Sequence, residues 1–145
     1  MQVEASLAET WDHYFYERGW PAWVEGFGSV GASKGYPEQG GTLSWRSSSA
    51  GRGTVQERVL EHEPRRLHRI AFTDPATEGE LRTTFAIEGE GTEVSSKLEY
   101  KLLGKGPFDR IAGLFFVKGQ VKNSLERSLE AFKHEVEERE KVSLV

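Results

Sequence analysis

The feature that most constrains this chain is a run of helical periodicity from Pro107 to about Arg139. At 100° per residue, Ile111, Leu114, Val121, Leu125, Leu129, Phe132 and Val136 gather into one stripe, while Asp109, Glu126, Glu130, Lys133 and Glu137 fall outside it. Gly104-Lys105-Gly106 breaks whatever precedes, and Pro107 suits a first helical turn, where its missing N–H costs nothing. At 1.5 Å per residue such a helix runs to about 50 Å, longer than a small domain needs to close its own core, so it must lie across something broad. One member of the stripe is discordant. Lys118 falls near its centre, between Leu114 and Val121, where an ammonium either snorkels out or faces a cavity.

The rest of the chain supplies the broad layer. Residues 2 to 6 read as a short strand ending at Ser6, an N-cap whose capping box is completed by Glu9, and a helix follows through about Phe15 with Trp11, Tyr14 and Phe15 buried. Arg18-Gly19 ends it, and a second short helical turn opens at Pro21 with Trp20 just ahead and Trp23 within it. From Gly26 to Leu103 short alternating runs are separated by Gly, Pro, Asp and Ser, the pattern of an antiparallel meander. Six strands fit, near Phe27 to Lys34, Gly41 to Ser47, Gly53 to Glu63, Arg66 to Thr73, Glu80 to Glu88 and Thr92 to Leu102.

Period-2 alternation sorts the side chains of these strands. Leu43, Trp45, His68, Ile70, Phe72, Leu81, Thr83, Phe85, Ile87, Val94, Ser96, Leu98, Tyr100 and Leu102 share an inward face, while Arg69, Arg82, Glu88, Glu93, Lys97, Glu99 and Lys101 face solvent. The strand from Gly53 to Glu63 breaks the rule. Val55 and Val59 lie on one side and Leu60 on the other, which predicts a bulge or register change. With no internal repeat, residues 1–145 read as one domain with its core at about 2–138.

Composition excludes several classes of function. With no cysteine there is no disulfide, thiolate nucleophile or cysteine-bound zinc. Nineteen Lys and Arg against 23 Asp and Glu give a net charge of -4, which argues against a nucleic-acid partner. A mean hydropathy of -0.57 and the lack of any long apolar run argue against integral membrane contact. Met1-Gln2-Val3-Glu4-Ala5 lacks the basic patch and apolar stretch of a signal peptide, so cytoplasmic residence is expected. The four histidines make no metal-ligand spacing with carboxylates, and no glycine-rich phosphate loop or nucleophile elbow is present. No metal and no cofactor are therefore expected, and nothing in the sequence sets an oligomeric state.

A strand, two short helices, six antiparallel strands and a long terminal helix form the helix-grip order, an α+β arrangement in which a curved sheet of about seven strands wraps the last helix. Local phrases carry the resemblance further. Ser6-Leu7-Ala8-Glu9-Thr10-Trp11-Asp12, Trp20-Pro21-Ala22-Trp23, Glu61-His62-Glu63-Pro64-Arg65-Arg66-Leu67, Gly91-Thr92-Glu93-Val94 and Leu125-Glu126-Arg127-Ser128-Leu129-Glu130-Ala131-Phe132-Lys133 occur in this order and spacing. Together they resemble the polyketide cyclase/dehydrase and lipid-transport branch of the START-related (SRPBCC) superfamily over about residues 2 to 138. The resemblance implies a deep, mostly apolar cavity between sheet and helix that takes lipids, polyketides or similar hydrophobic molecules. It does not decide between a carrier and a cyclase, because function lives in the site and not in the fold.

The residues expected to line such a cavity are Trp20, Trp23, Phe27, Trp45, Phe72, Phe85, Leu114 and Phe115. Lys118 would meet a ligand carboxylate or phenolate, the competing reading being a snorkelling lysine. His68 shares the inward face and could act as an acid or base, though a satisfied core histidine has the same pattern. Thr83 and Tyr100, with Ser96, are inward hydroxyls that either orient a ligand or bond neighbouring backbone. The sequence offers no evident inward acid–base pair, which favours binding or transport over a cyclase or dehydratase using side-chain acid–base chemistry. A void of at least roughly 300 Å³, the low end for ligand pockets, is predicted between the helix and the sheet.

Overall fold

The computed structural model describes residues 1–48, 53–103 and 125–139. Seven strands form one antiparallel sheet: β1 (Gln2–Val3), β2 (Phe27–Lys34), β3 (Thr42–Ser47), β4 (Thr54–Glu63), β5 (Leu67–Thr73), β6 (Thr77–Glu88) and β7 (Gly91–Leu102). Their spatial order is β1-β7-β6-β5-β4-β3-β2, so consecutive strands from β2 to β7 are neighbours and the first strand closes the far edge against the last. Between β1 and β2 lie α1 (Leu7–Tyr14), a 3₁₀ turn at Glu17–Gly19 and α2 (Trp20–Trp23). Residues 125–139 are helical and are called α3 here.

Local chemistry explains the helix starts. The Ser6 hydroxyl accepts from the Glu9 amide at 3.1 Å, capping α1 as the sequence predicts. Helix α2 begins at Trp20, one residue before the expected Pro21, because the Gly19 backbone is already helical and proline at the second position donates nothing that the helix needs. Its Trp20 indole donates to the Tyr14 carbonyl at 2.9 Å and ties the two helices together.

The strands match the alternating runs to within three residues. The largest difference is β6, which starts at Thr77 because the Asp74 carboxylate accepts from the Ala76 and Thr77 amides and turns the chain straight into the strand. The irregularity in β4 is also present. Val59 pairs with Ile70 but Glu61 pairs with Arg69, so Leu60 is the extra residue of a bulge. The bulge reverses the alternation: Val55, Glu57 and Val59 share the inner face before it, and His62 joins His68 after it.

One inward assignment is corrected. Ile87 is 72% exposed, because β5 begins at Leu67, opposite Thr84, and leaves the end of β6 beyond its last partner on that side. The outer face is polar as expected; there the half-buried Arg69 guanidinium bridges Glu61 and Glu80 at 2.9 Å each.

The core lies between the inner face of the sheet, α1, α2 and α3. Phe132 and Val136 are 0% and 2% exposed, and Phe132 packs on Trp23 with ring centroids 4.8 Å apart. The Lys133 ammonium donates to the Gln2 carbonyl at 2.6 Å and Glu137 accepts from the Glu4 amide at 3.0 Å, pinning α3 to the first strand. At the other end of α3 the Ser128 hydroxyl accepts from the Glu25 amide at 2.8 Å, and Arg127 pairs with the Glu25 carboxylate.

Candidate ligand cavity

Between α3 and the sheet the described residues line a partly open cavity of about 170 Å³. Leu43, Glu57 and Phe72 of its wall also line a second, more open space of about 980 Å³, and the part of the predicted helix before Leu125 lies outside the described residues. Aromatic side chains make the walls of the smaller cavity: Trp20 and Trp23 from α2, Phe27 from β2, Trp45 from β3 and Phe72 from β5. Trp45 stands 5.5 Å from Phe27, and Phe27 stands 6.0 Å from Trp20, so three rings form one continuous surface. Leu125, Ser128 and Leu129 of α3 close it, with the exposed Glu25 at the rim.

The polar groups are few and converge. Glu57, inward through the alternation of β4, accepts from the Trp45 indole at 2.8 Å. Tyr14 reaches the Thr83 hydroxyl at 3.3 Å, which in turn is 3.1 Å from the Ser96 hydroxyl. His68 and His62 face each other directly, Nδ1 to Nδ1 at 3.0 Å, so one of the two must donate and the other accept. The remaining ring nitrogen of His68, Nε2, is buried without a partner, as is Nε1 of Trp23.

Burial sets the protonation states. Desolvation, with the neighbouring His62 adding to it, lowers the His68 pKa to about 3, so its imidazole is neutral near pH 7. Burial also raises Tyr14 to about 12, opposed by its bond to Thr83 and reinforced by the Glu57 charge. Tyr36 is pushed well above the ordinary tyrosine value by burial and then by Glu57, Tyr14 and Glu17. Both phenols are therefore hydrogen-bonding groups at neutral pH and not phenolates. Desolvation lowers His62 as well, against a smaller opposing pull from Glu38.

Of the residues singled out from the sequence, Trp20, Trp23, Phe27, Trp45, His68 and Phe72 stand on the cavity wall. Phe85 does not. It lies under α1, packed on Trp11 at 4.9 Å and Tyr14 at 5.4 Å, where the helix covers the sheet. Thr83 is fully buried and bonded to Tyr14 and Ser96, so it braces a wall residue without reaching the cavity itself. Tyr100 sits opposite Gly79 near the end of β7 and lines the second space together with Leu43, Glu57 and Phe72, its hydroxyl buried and unpaired. Leu114, Phe115 and Lys118 lie outside the described residues.

Glu57, Tyr14 and Tyr36 are among the wall residues outside the expected set. Glu57 was legible, since it falls two residues from both Val55 and Val59 and period 2 alone turns it inward. Tyr14 was expected only as core. Tyr36 lies in the loop between β2 and β3, where no periodicity operates. Glu57 also corrects the expectation that no inward acid–base pair exists: it shares the cavity with Tyr14, Tyr36 and His68. Among the described residues no cluster of histidine and carboxylate side chains is arranged to hold a metal ion.

A curved antiparallel sheet gripping a terminal helix defines a class of small α+β folds, and solved structures share that fold across nearly the full chain. A protein from Chromobacterium violaceum matches with a TM-score of 0.72 at 16% identity, covering 94% of this chain and 93% of its own. Ara h 8.0201 matches with a TM-score of 0.73 at 11% identity, covering 94% and 93%. Truncated norcoclaurine synthase from Thalictrum flavum matches with a TM-score of 0.65 at 16% identity, covering 94% and 89%. At these identities the likeness is one of fold. No sequence among curated proteins matches the chain. The family model described as polyketide cyclase / dehydrase and lipid transport matches residues 1–137, and the chain belongs to that family. No helix among the described residues is long and apolar enough to cross a membrane.

Proposed function

We propose that this chain binds or carries a hydrophobic small molecule in the cavity between the sheet and α3. The observation that supports the reading is the wall itself: Trp20, Trp23, Phe27, Trp45 and Phe72 around about 170 Å³, with few polar groups. A dry apolar void of ~150 Å³ takes up benzene, so the ligand, or the part of it held here, is about one ring in size. One domain acting in the cytoplasm, with no nucleic-acid partner, belongs to the same reading. Lys118 remains in it on sequence grounds as the partner of an acidic ligand group.

The test is uptake by the purified protein, read by extraction into organic solvent and mass spectrometry and by titration of single-ring probes against tryptophan fluorescence. Four tryptophans, three of them on the wall, make the readout direct. Saturable quenching is the expected result; a folded protein that takes up no apolar ring at all defeats the reading.

A second reading, a cyclase or dehydratase working by side-chain acid–base catalysis, is favoured by one observation. A carboxylate, Glu57, stands in a mostly apolar cavity beside two neutral phenols and a neutral imidazole. If it acts, Glu57→Gln abolishes turnover of an oxygenated cyclisable substrate while ring uptake persists. Equal turnover by wild type and variant removes Glu57 from any such role.

A further inference from the structure

Buried polar groups in folded proteins are almost always paired, because an unmet donor or acceptor in an apolar setting keeps its full desolvation penalty. Two side chains on the cavity wall break that rule. Trp23 is 7% exposed and its Nε1–H, which can only donate, has no acceptor; His68 is 3% exposed and its Nε2 has no partner of any kind. Contrast the neighbouring indoles: Trp20 donates to the Tyr14 carbonyl at 2.9 Å and Trp45 to Glu57 at 2.8 Å. Of the three indoles on the wall, the fold satisfies two and leaves that of Trp23 without an acceptor.

The two rings share a neighbour on the cavity wall. Both rings flank Tyr14, at 5.3 Å from Trp23 and 6.4 Å from His68 between centroids. What His68 offers is set from behind. If His62 donates to Nδ1 of His68, then Nε2 carries the proton and donates; if His68 donates, Nε2 presents a lone pair. Because His68 stays neutral, these two tautomers are its only forms near pH 7. A ligand hydroxyl answers either one, and its oxygen also accepts from an indole. A hydrocarbon answers none.

Resting on the binding reading above, we infer that Trp23 and His68 are specificity-determining residues that select a ring bearing a hydroxyl or carbonyl oxygen over a hydrocarbon ring of the same size, with His62 fixing the tautomer of His68. The charge-neutral character of all three groups makes the selection one of hydrogen bonding and not of ionic attraction.

Phenol and toluene, equal in heavy atoms, are the probes. In the wild-type protein, ¹⁵N-edited spectra are expected to show the Trp23 indole proton moving downfield and a His68 ring nitrogen shifting with phenol, and neither doing so with toluene. The ratio of toluene Kd to phenol Kd is then compared across wild type, Trp23→Phe and His68→Leu. Losing one hydrogen bond of about 1 kcal/mol lowers that ratio roughly fivefold, with toluene affinity retained. A fall of that size in either variant, or the phenol-specific shifts where a variant fails to fold, supports the inference. Toluene and phenol bound by wild type with no phenol-specific shift and a ratio unchanged in both variants overturns it and leaves the binding reading standing. A folded wild type that binds neither probe overturns both.

Discussion

The two ends of α3 lie on the same sheet yet behave differently. Toward its C-terminal half, Phe132 is fully buried and packs on Trp23, Tyr14 and His13, with ring centroids 4.8, 5.7 and 5.7 Å away, and Val136 is buried beside an outer groove lined by Glu9, Asp12, His13, Tyr16 and Arg139. One to two turns earlier, Leu125 and Leu129 are only half-buried and look onto the cavity. From Leu125 to Val136 the stripe members are apolar, so hydrophobicity does not distinguish the ends. What differs is the opposing layer. At the sealed end β1 and α1 add a third surface, and the Lys133 and Glu137 bonds to the backbone of residues 2 and 4 draw it tight. At the other end α2 supplies rings on a single turn, too short to fill the space beneath the curled strands. Among the described residues the fold is held at one end and hollow at the other, and stability and binding should separate along that line.

The largest expected effect tests the separation directly. Phe132→Ala removes a fully buried ring from the sealed end and is expected to cost about 3–5 kcal/mol in denaturant unfolding, close to the whole stability of a small domain. Leu129→Ala enlarges a cavity that already exists, so it is expected to cost less than about 1.5 kcal/mol while altering ring affinity severalfold. Similar losses of stability from both would mean that the hollow end is as tightly packed as the sealed one.

An intermediate effect comes from acid. His68 has its folded pKa lowered from an unfolded value of about 6.5 to about 3, so between those values the unfolded chain holds a proton that the folded chain refuses. The stability present at neutral pH is therefore lost as pH falls through 6.5 towards 3, by about 2 kcal/mol at pH 5. His62, also lowered, acts in the same direction. Carboxylates contribute their own acid dependence, so the comparison that matters is with His68→Leu, whose stability curve should be flatter between pH 6.5 and 4.5. Parallel curves would mean that the imidazole has found water or a partner.

How far the sequence carries this picture depends on what sets each feature. Strand order, the Ser6 cap and the β4 irregularity were legible because turn chemistry, capping and period 2 are local. The aromatic wall was legible for the same reason: Trp45 and Phe72 alternate inward on their strands, and Trp20 and Trp23 bracket a proline. Phe85 misled because an inward face says nothing about which helix covers it. Ile87 misled because neighbouring strands end at different heights. Tyr36 was invisible, since a loop residue has no period, and the His62–His68 bond depends on which residue bulges, which a sequence can announce without placing. Cavity volume is the least local of all, being the remainder after every ring has been packed.

The smallest expected effect sharpens the comparison from the sealed side. Ser6 caps α1 through its hydroxyl and touches no cavity residue except through the helix it starts. Ser6→Ala leaves the Glu9 amide without its acceptor and is expected to cost about 1 kcal/mol, seen as a lower denaturation midpoint with an unchanged slope. Because α1 also carries Tyr14, which lines the hollow end, the informative quantity is ring affinity in the same variant. If the sealed end is a rigid support, fraying one turn at its start leaves the position of Tyr14 and the Kd for phenol unchanged within error, since Trp20 donates to the Tyr14 carbonyl and holds it independently of the cap. A fall in affinity that tracks the loss of stability would instead show that α1 transmits strain along its length, and the two ends of the molecule would have to be treated as one cooperative unit.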